Sequence, residues 1–296
     1  MTLPTHGRFP FSALPTRAHY AWPGGKSLAF YVALNVETFG YGMPGAVLGA
    51  APPPPDHRNW SWREYGNRVG FWRMLELFDE MELPAAHLVN SYLYDTHPEI
   101  PAAIRKRGDE FVGHGRTNSE RVGGRPEEEE RALIAEVTEV IARHEGAPPR
   151  GWMTPNQIPS ELTPDLLQEA GYRYLLDWAA DDQPFWMKTR RGRILSVPYP
   201  VEINDYVAAV QLHFDPVQFV EAMVRQFEEL VEQSARQPLV CAISLHTNIF
   251  GQPHRLRVLR EGLRRIRANP RFERVWVTRP GDIAAFCDGL PAGVVP

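Results

Sequence analysis

Leu28-Ala29-Phe30-Tyr31-Val32-Ala33-Leu34-Asn35-Val36-Glu37 is an apolar run that turns polar only at its downstream end, at Asn35 and Glu37. It reads as a buried strand over residues 27–36. The same kind of ending recurs along the chain. His114 closes Phe111-Val112-Gly113, Trp152 and Thr154 follow Gly151, and Asp177 closes the run 172–176. Asn204 and Asp205 follow 197–203, and His246 closes 239–245. A parallel barrel with helices outside carries its chemistry at the carboxyl ends of its strands. Polar strand ends gathered on one face point to an enzyme with one central cavity.

Helix signals alternate with these strands. Apolar residues at three- and four-residue spacing predict helices over 62–81, 98–106, 126–144, 163–170, 216–234, 254–268 and 282–287. Strands are expected at 85–90, 110–113, 150–153, 172–176, 194–201, 239–245 and 274–278. Pro126 followed by Glu127 to Glu130 is a helix start, because proline suits the first turn and acidic side chains complement the helix dipole. Such alternation predicts a parallel sheet with crossover helices. With about eight strands and no compositional break, the expected α/β fold is one distorted (β/α)7-8 barrel spanning residues 1–296. Two long irregular stretches remain, 38–61 and 181–192, and long loops in a compact domain are commonly lids or binding loops. Surface decoration or a subunit contact is the alternative for both.

Composition narrows the class. The 296 residues are 43% hydrophobic and 23% charged, enough for a sizeable core. A formal net charge of −4 gives no reason to expect nucleic acid or an anionic membrane as partner. The two cysteines, Cys241 and Cys287, do not make a disulfide framework. No window reaches the roughly 18 uninterrupted apolar residues of a membrane helix. The first 25 residues hold no continuous apolar stretch either, so a cytoplasmic location is expected.

Glu37 and two histidines, His114 and His246, on separate strand ends make a workable hydrolytic set. A carboxylate can take a proton from water, and a histidine can protonate a leaving nitrogen or hold an oxyanion. Each residue alone has a plain structural reading, as an ion pair or a hydrogen-bonded rim residue. Trp60, Trp62, Trp152, Trp178 and Trp186 lie near loops, where aromatic walls would suit a flat ring or a sugar; core packing is the alternative.

Six ordered segments add specificity: Leu34-Asn35-Val36-Glu37, Glu64-Tyr65-Gly66-Asn67-Arg68, Gly113-His114-Gly115, Gly151-Trp152-Met153-Thr154, Asp181-Asp182-Gln183-Pro184-Phe185-Trp186 and Ser244-Leu245-His246. Together they resemble the polysaccharide deacetylase superfamily, from about Trp22 to Ile283, and most of all its branch of metal-independent allantoinases and cyclic imide hydrolases. The resemblance implies a distorted barrel, hydrolysis of a carbon–nitrogen bond, and a homo-oligomer. It also brings in Asn35, Arg68, Glu120, Trp152, Thr154 and Asp177 as substrate-positioning candidates.

Departures from the sugar-deacetylase pattern choose the branch. That pattern pairs a basic aspartate with a ligand aspartate after the first strand; Glu37 and Thr38 stand there. It has two metal-binding histidines four apart; here they are His114 and Asn118. Zinc takes three protein donors from histidine, cysteine or carboxylate plus an open position. No cofactor is therefore expected, and one zinc held by His114, Glu120 and Glu37 is the alternative. The two-metal amidohydrolase barrel needs a His-x-His, and the chain has none. A cyclic imide or ureide is an activated acyl compound, so losing a Lewis acid fits ring opening better than sugar deacetylation. The expected reaction is opening of a small cyclic amide, with Glu37 as general base, His246 as acid or oxyanion donor and His114 as orienting group. The alternatives are a metal-dependent deacetylase of an N-acetylated sugar or small amide, and an inactive ligand-binding barrel.

Overall fold

The structure, a computed structural model, describes residues 4–49 and 51–296. Ala50, inside the 38–61 stretch, therefore lies outside the described residues. In chain order the elements are β1 (Leu28–Val36), α1 (His57–Tyr65), α2 (Phe71–Glu80), β2 (Ala85–Val89), α3 (Leu93–Thr96), α4 (Glu99–Arg107), β3 (Glu110–Gly113), α5 (Glu127–Glu145) and β4 (Gly151–Trp152). They continue with α6 (Thr163–Glu169), β5 (Tyr174–Leu175), β6 (Phe185–Thr189), β7 (Gly192–Ser196), α7 (Pro216–Gln233), β8 (Leu239–His246), α8 (Pro253–Arg267), β9 (Val275–Val277) and α9 (Pro280–Asp288).

The strands make one sheet of nine, ordered β6-β7-β5-β4-β3-β2-β1-β8, with β9 also on β1. Every ladder is parallel except the β6–β7 hairpin. The sheet curls until its two sides meet, with a bridge from Asn204 to Ser244 and Val240 N donating to Asp182 O at 2.8 Å. The expected distorted barrel is thus found, closed by these few contacts and not by a continuous ladder.

Strand parity organises the core. In β1, Leu28, Phe30, Val32, Leu34 and Val36 join the apolar layer beneath the helices. Ala29, Tyr31 and Ala33 belong to a second cluster, together with Ala86 and Leu88 of β2, Val112 of β3, and Val240 and Ala242 of β8. That second cluster fills the barrel, since alternate side chains of a strand point to opposite faces. Continuing each strand by the same period carries Asn35 and Glu37, Asn90, His114, and Ser244 and His246 into the barrel mouth. Small alanines low in the barrel leave room; the polar residues sit where it opens.

Two expectations change. The stretch 181–192 is no lid: Phe185–Thr189 forms β6 of a hairpin whose outer edge pairs with terminal segments, Trp186 N donating to Pro296 O at 2.7 Å and Lys188 N to Arg8 O at 2.7 Å. Its charged and turn-forming residues masked the strand. The helix expected over 62–81 starts earlier, at His57 behind an Asp56 cap that accepts from Asn59 N, and widens into a π turn at Gly66–Gly70. A β-carbon on Gly70 would lie 2.0 Å from Thr247 O, and one on Gly251 would lie 2.4 Å from the Gly70 α-carbon. The helix can rest on the turn after His246 only because both positions lack a side chain. Gly70→Ala should destabilise the protein by about 1–3 kcal/mol through overpacking, read as a lower urea midpoint. An unchanged midpoint would mean this contact yields freely.

Candidate active site

The barrel mouth holds a cavity of about 350 Å³. Its floor is polar: Asn35 and Glu37 from β1 and its extension, His114 after β3, Asn118 from the next turn, and His246 at the end of β8. The 38–61 stretch forms part of the wall, contributing Phe39, Pro44, Gly45 and Ala46. Arg63 of α1 braces that segment, donating to Ala46 O at 3.0 Å with its guanidinium 4.5 Å from the Phe39 ring centroid. Tyr199, Tyr206, Asn156 and Gln157 complete much of the rest.

Three nitrogens converge on one oxygen. Glu37 Oε1 lies 3.5 Å from His114 Nε2 and 3.6 Å from His246 Nε2, and Asn118 Nδ2 donates to it. His114 Nδ1 donates to Met153 O at 2.7 Å, so Nε2 is the nitrogen turned to the cavity. His246 Nδ1 lies 2.6 Å from Asp205 Oδ1, and the His246 backbone N–H donates to the other carboxylate oxygen at 2.9 Å. Asp205 has no exposure at all. It fixes both the ring and the backbone of His246.

Charge follows from this arrangement. Burial alone would push the Glu37 carboxyl up, but the His246 charge, the adjoining His114 imidazole and the Arg63 charge outweigh it. Glu37 sits below its ordinary 4.5. Burial pulls His246 down, yet Asp205 and Glu37 on either side raise it above its ordinary 6.5. Burial pushes Asp205 up, and its pairing with His246 offsets only part of that. Both shifts favour the charged forms, a carboxylate facing an imidazolium, which are the working forms of a base and an acid.

The expected residues divide by position. Glu37, His114, His246 and Asn35 line the cavity. Asn35 Nδ2 reaches Tyr199 Oη, Ser244 Oγ and Leu245 O at 3.0–3.1 Å, lacing β1 to β8. Trp152, Thr154 and Asp177 lie beneath, not in the wall. Trp152 Nε1 donates to Thr154 Oγ1 at 3.0 Å, and Thr154 N and Oγ1 both donate to Asp177. They support the segment whose Met153 carbonyl holds His114. Burial raises Asp177 to about 6 despite those bonds. Arg68 is exposed on the π turn and does not line the cavity; its neighbour Asn67 instead donates to Glu37 O at 2.9 Å. Glu120 is held by Arg116 at 2.6 Å and by Thr117, outside the cavity. None of the five loop tryptophans lines it; the aromatic wall is Phe39, Tyr199 and Tyr206.

Asp205 is the principal residue that the sequence reading left out of the site. Its signal was its place after an apolar run, shared with Asn204. Tyr199 and Tyr206 gave no signal, because their approach depends on how the chain crosses from β7 to β8.

The zinc alternative meets the wrong donors. Glu120 is engaged by Arg116, and Asn118 turns its N–H, not a lone pair, toward Glu37. Thr38, next to Glu37, supplies a hydroxyl and not a carboxylate, histidine or cysteine donor. Among the described residues no three His, Cys, Asp or Glu side chains group as ligands. The residues do not fit a zinc site.

Comparison with known proteins finds similar chains. The polysaccharide deacetylase pattern matches residues 64–175. A Schizosaccharomyces pombe protein described as "Putative polysaccharide deacetylase" is 27% identical over 279 residues, covering 88% of this chain and 85% of that one. The crystal structure of Puue allantoinase is similar with a TM-score of 0.81 and 26% identity, covering 94% of this chain and 96% of that one. A "probable Polysaccharide deacetylase" from Pseudomonas aeruginosa PAO1 gives 0.80 and 27%, covering 90% and 93%.

The charge arrangement fixes a pH response. Activity should rise through a Glu37 limb below 4.5 and fall through a His246 limb above 6.5. Asp205→Asn removes a charge that holds the His246 proton, so the alkaline limb of kcat/KM should move to lower pH. A limb that stays in place would show that Asp205 does not set the state of His246.

Proposed function

We propose that this chain, a member of the polysaccharide deacetylase superfamily, is a carbon–nitrogen hydrolase that opens a small cyclic amide, imide or ureide without a metal. The observation that carries this reading is the set around Glu37 Oε1: one carboxylate, two imidazole nitrogens and an amide donor in a cavity of about 350 Å³. Small-ligand sites commonly run from about 300 to 1,000 Å³, so this volume suits one ring. Phe39, Pro44, Gly45 and Ala46 on its wall narrow the space a polymer chain would need. The likeness to Puue allantoinase, over nearly the full length of both chains, supports the cyclic ureide class.

The roles follow from the protonation states. Glu37 takes a proton from water as the water oxygen attacks the ring carbonyl carbon. His114 Nε2, facing the same carboxylate oxygen, orients that water. The carbonyl oxygen becomes an oxyanion. As it collapses, the carbon–nitrogen bond breaks and His246 Nε2 gives its proton to the leaving nitrogen. The product is a ring-opened acid and amide, and transfer of the Glu37 proton to His246 Nε2, 3.6 Å away, restores the resting forms of both. A second carbonyl on the leaving nitrogen makes that departure easier, so an imide or ureide asks less of the site than a plain acetamide. A homo-oligomer belongs to the same proposal. No helix among the described residues is long and apolar enough to cross a membrane.

Purified protein should hydrolyse at least one of hydantoin, succinimide and allantoin, and chelator should leave the rate unchanged. Glu37→Gln should lower kcat by a factor on the order of 10³ or more while the circular dichroism spectrum stays native. Chelator-sensitive turnover restored by zinc would sink the metal-independent part. Full activity in the Glu37 variant would sink the base assignment.

A further inference from the structure

Asn118 and Asn90 lie beside Glu37 and are almost wholly buried, Asn118 at 6% exposure and Asn90 at 0%. Their orientations are not free. The Thr38 backbone N–H donates to Asn90 Oδ1 at 2.7 Å, and an N–H can only donate. Asn90 Nδ2 must then be the donor on the other side, where it meets His114 O and, at 3.1 Å, Asn118 Oδ1. With its oxygen taken, Asn118 has only its Nδ2 to offer Glu37 Oε1. The polarity of the sequence Thr38, Asn90, Asn118, Glu37 is set by the first backbone group.

The geometry points to a two-amide relay in which Asn90 orients Asn118, and Asn118 holds the Glu37 carboxylate in its attacking position. The inference rests on Glu37 being the base, and it deepens that reading by naming what positions the base. The relay closes on itself through the backbone, since Asn118 N donates to Thr38 O at 2.9 Å. Asn67 secures the other side through Glu37 O. The residue next to Glu37 is therefore clamped at both its N–H and its carbonyl, while the carboxylate is held at its tip. A base that must meet water and a carbonyl carbon within a few tenths of an ångström gains directly from such a clamp. Deleting the tip contact would leave the fold intact and the carboxylate free to rotate.

Selective 15N-asparagine labelling tests the relay without any substrate. Glu37→Gln should shift the Asn118 side-chain amide resonances strongly and those of Asn90 less, because the change travels along the bonds. Asn118→Asp, which keeps the acceptor for Asn90, should remove one amide pair and shift the Asn90 pair. Asn118 resonances that stay put in Glu37→Gln, together with Asn90 resonances that stay put in both variants, would overturn the relay. On whichever of hydantoin, succinimide or allantoin is turned over, Asn118→Leu should lower kcat at least about tenfold with KM within about threefold. Asn118→Asp, which puts a carboxylate oxygen against Glu37, should lower kcat at least as much. If Glu37→Gln is inactive but both Asn118 variants keep the native kcat, the relay is wrong and the base assignment stands. If Glu37→Gln is fully active, the base assignment itself is wrong.

Discussion

The register between β1 and β8 is the constraint on which the site depends. Eight consecutive pairs run from Leu28–Leu239 to Asn35–His246, each side buried along its whole length. A slip of one residue would exchange the faces of one strand. Glu37 or His246 would then enter the layer beneath the helices, and Leu34 or Leu245 would face the mouth. Burial of the outward-facing Leu28, Phe30, Val32, Leu34 and Val36 makes that slip costly. The same apolar packing that builds the core therefore fixes the distance between Glu37 and His246. Chemistry is carried here by the parity of a strand, not by a loop free to vary.

That placement brings an electrostatic difficulty, because it puts Glu37, His246 and Asp205 into a poorly solvated space. Burying a lone charge is expensive unless it is paired and hydrogen-bonded. The arrangement alternates sign, Asp205 against His246 against Glu37, and each carboxylate also meets donors. Asp205 receives the His246 backbone N–H, and Glu37 receives Asn118. Removal of His246 would take from both carboxylates the side chain that lies between them. This interdependence favours the charged forms of His246 and Glu37 together.

Much of the architecture was legible from single segments. Apolar runs ending in Asn35 and Glu37, His114 or His246 declared both the parallel strands and the face on which they open. The helices followed from their periodicity and from signals such as Pro126 with its acidic turn. What escaped was whatever depends on contacts between distant segments. β6 is short, interrupted by Lys188, and made a strand by its hairpin partner and by two terminal segments. Arg68 looked like a site residue by its position in a matched segment, but the π turn sends it to solvent and brings Asn67 to Glu37. Glu120 looked available as a ligand only because its partner Arg116 cannot be read as a partner from spacing alone. Trp152, Thr154 and Asp177 matched the segment that supports the site, and only the fold separates support from wall.

Asn118 shows why the side-chain inventory matters more than the likeness of the barrel. A histidine in its place would offer a lone pair to a metal, whereas an amide whose oxygen is already taken can offer only an N–H. The exchange turns a point that could bind a cation into a donor that holds an anion. In the proposed metal-free reaction Glu37 is fixed by that donor, and the stabilisation of a developing oxyanion falls to hydrogen-bond donors alone. Such donors contribute less than a divalent ion at the same distance, so the substrate must bring part of the activation in its own leaving group. An imide or ureide nitrogen does so and a sugar acetamide does not. On the proposed reading, the choice of substrate class follows from the donor chemistry of one residue beside Glu37.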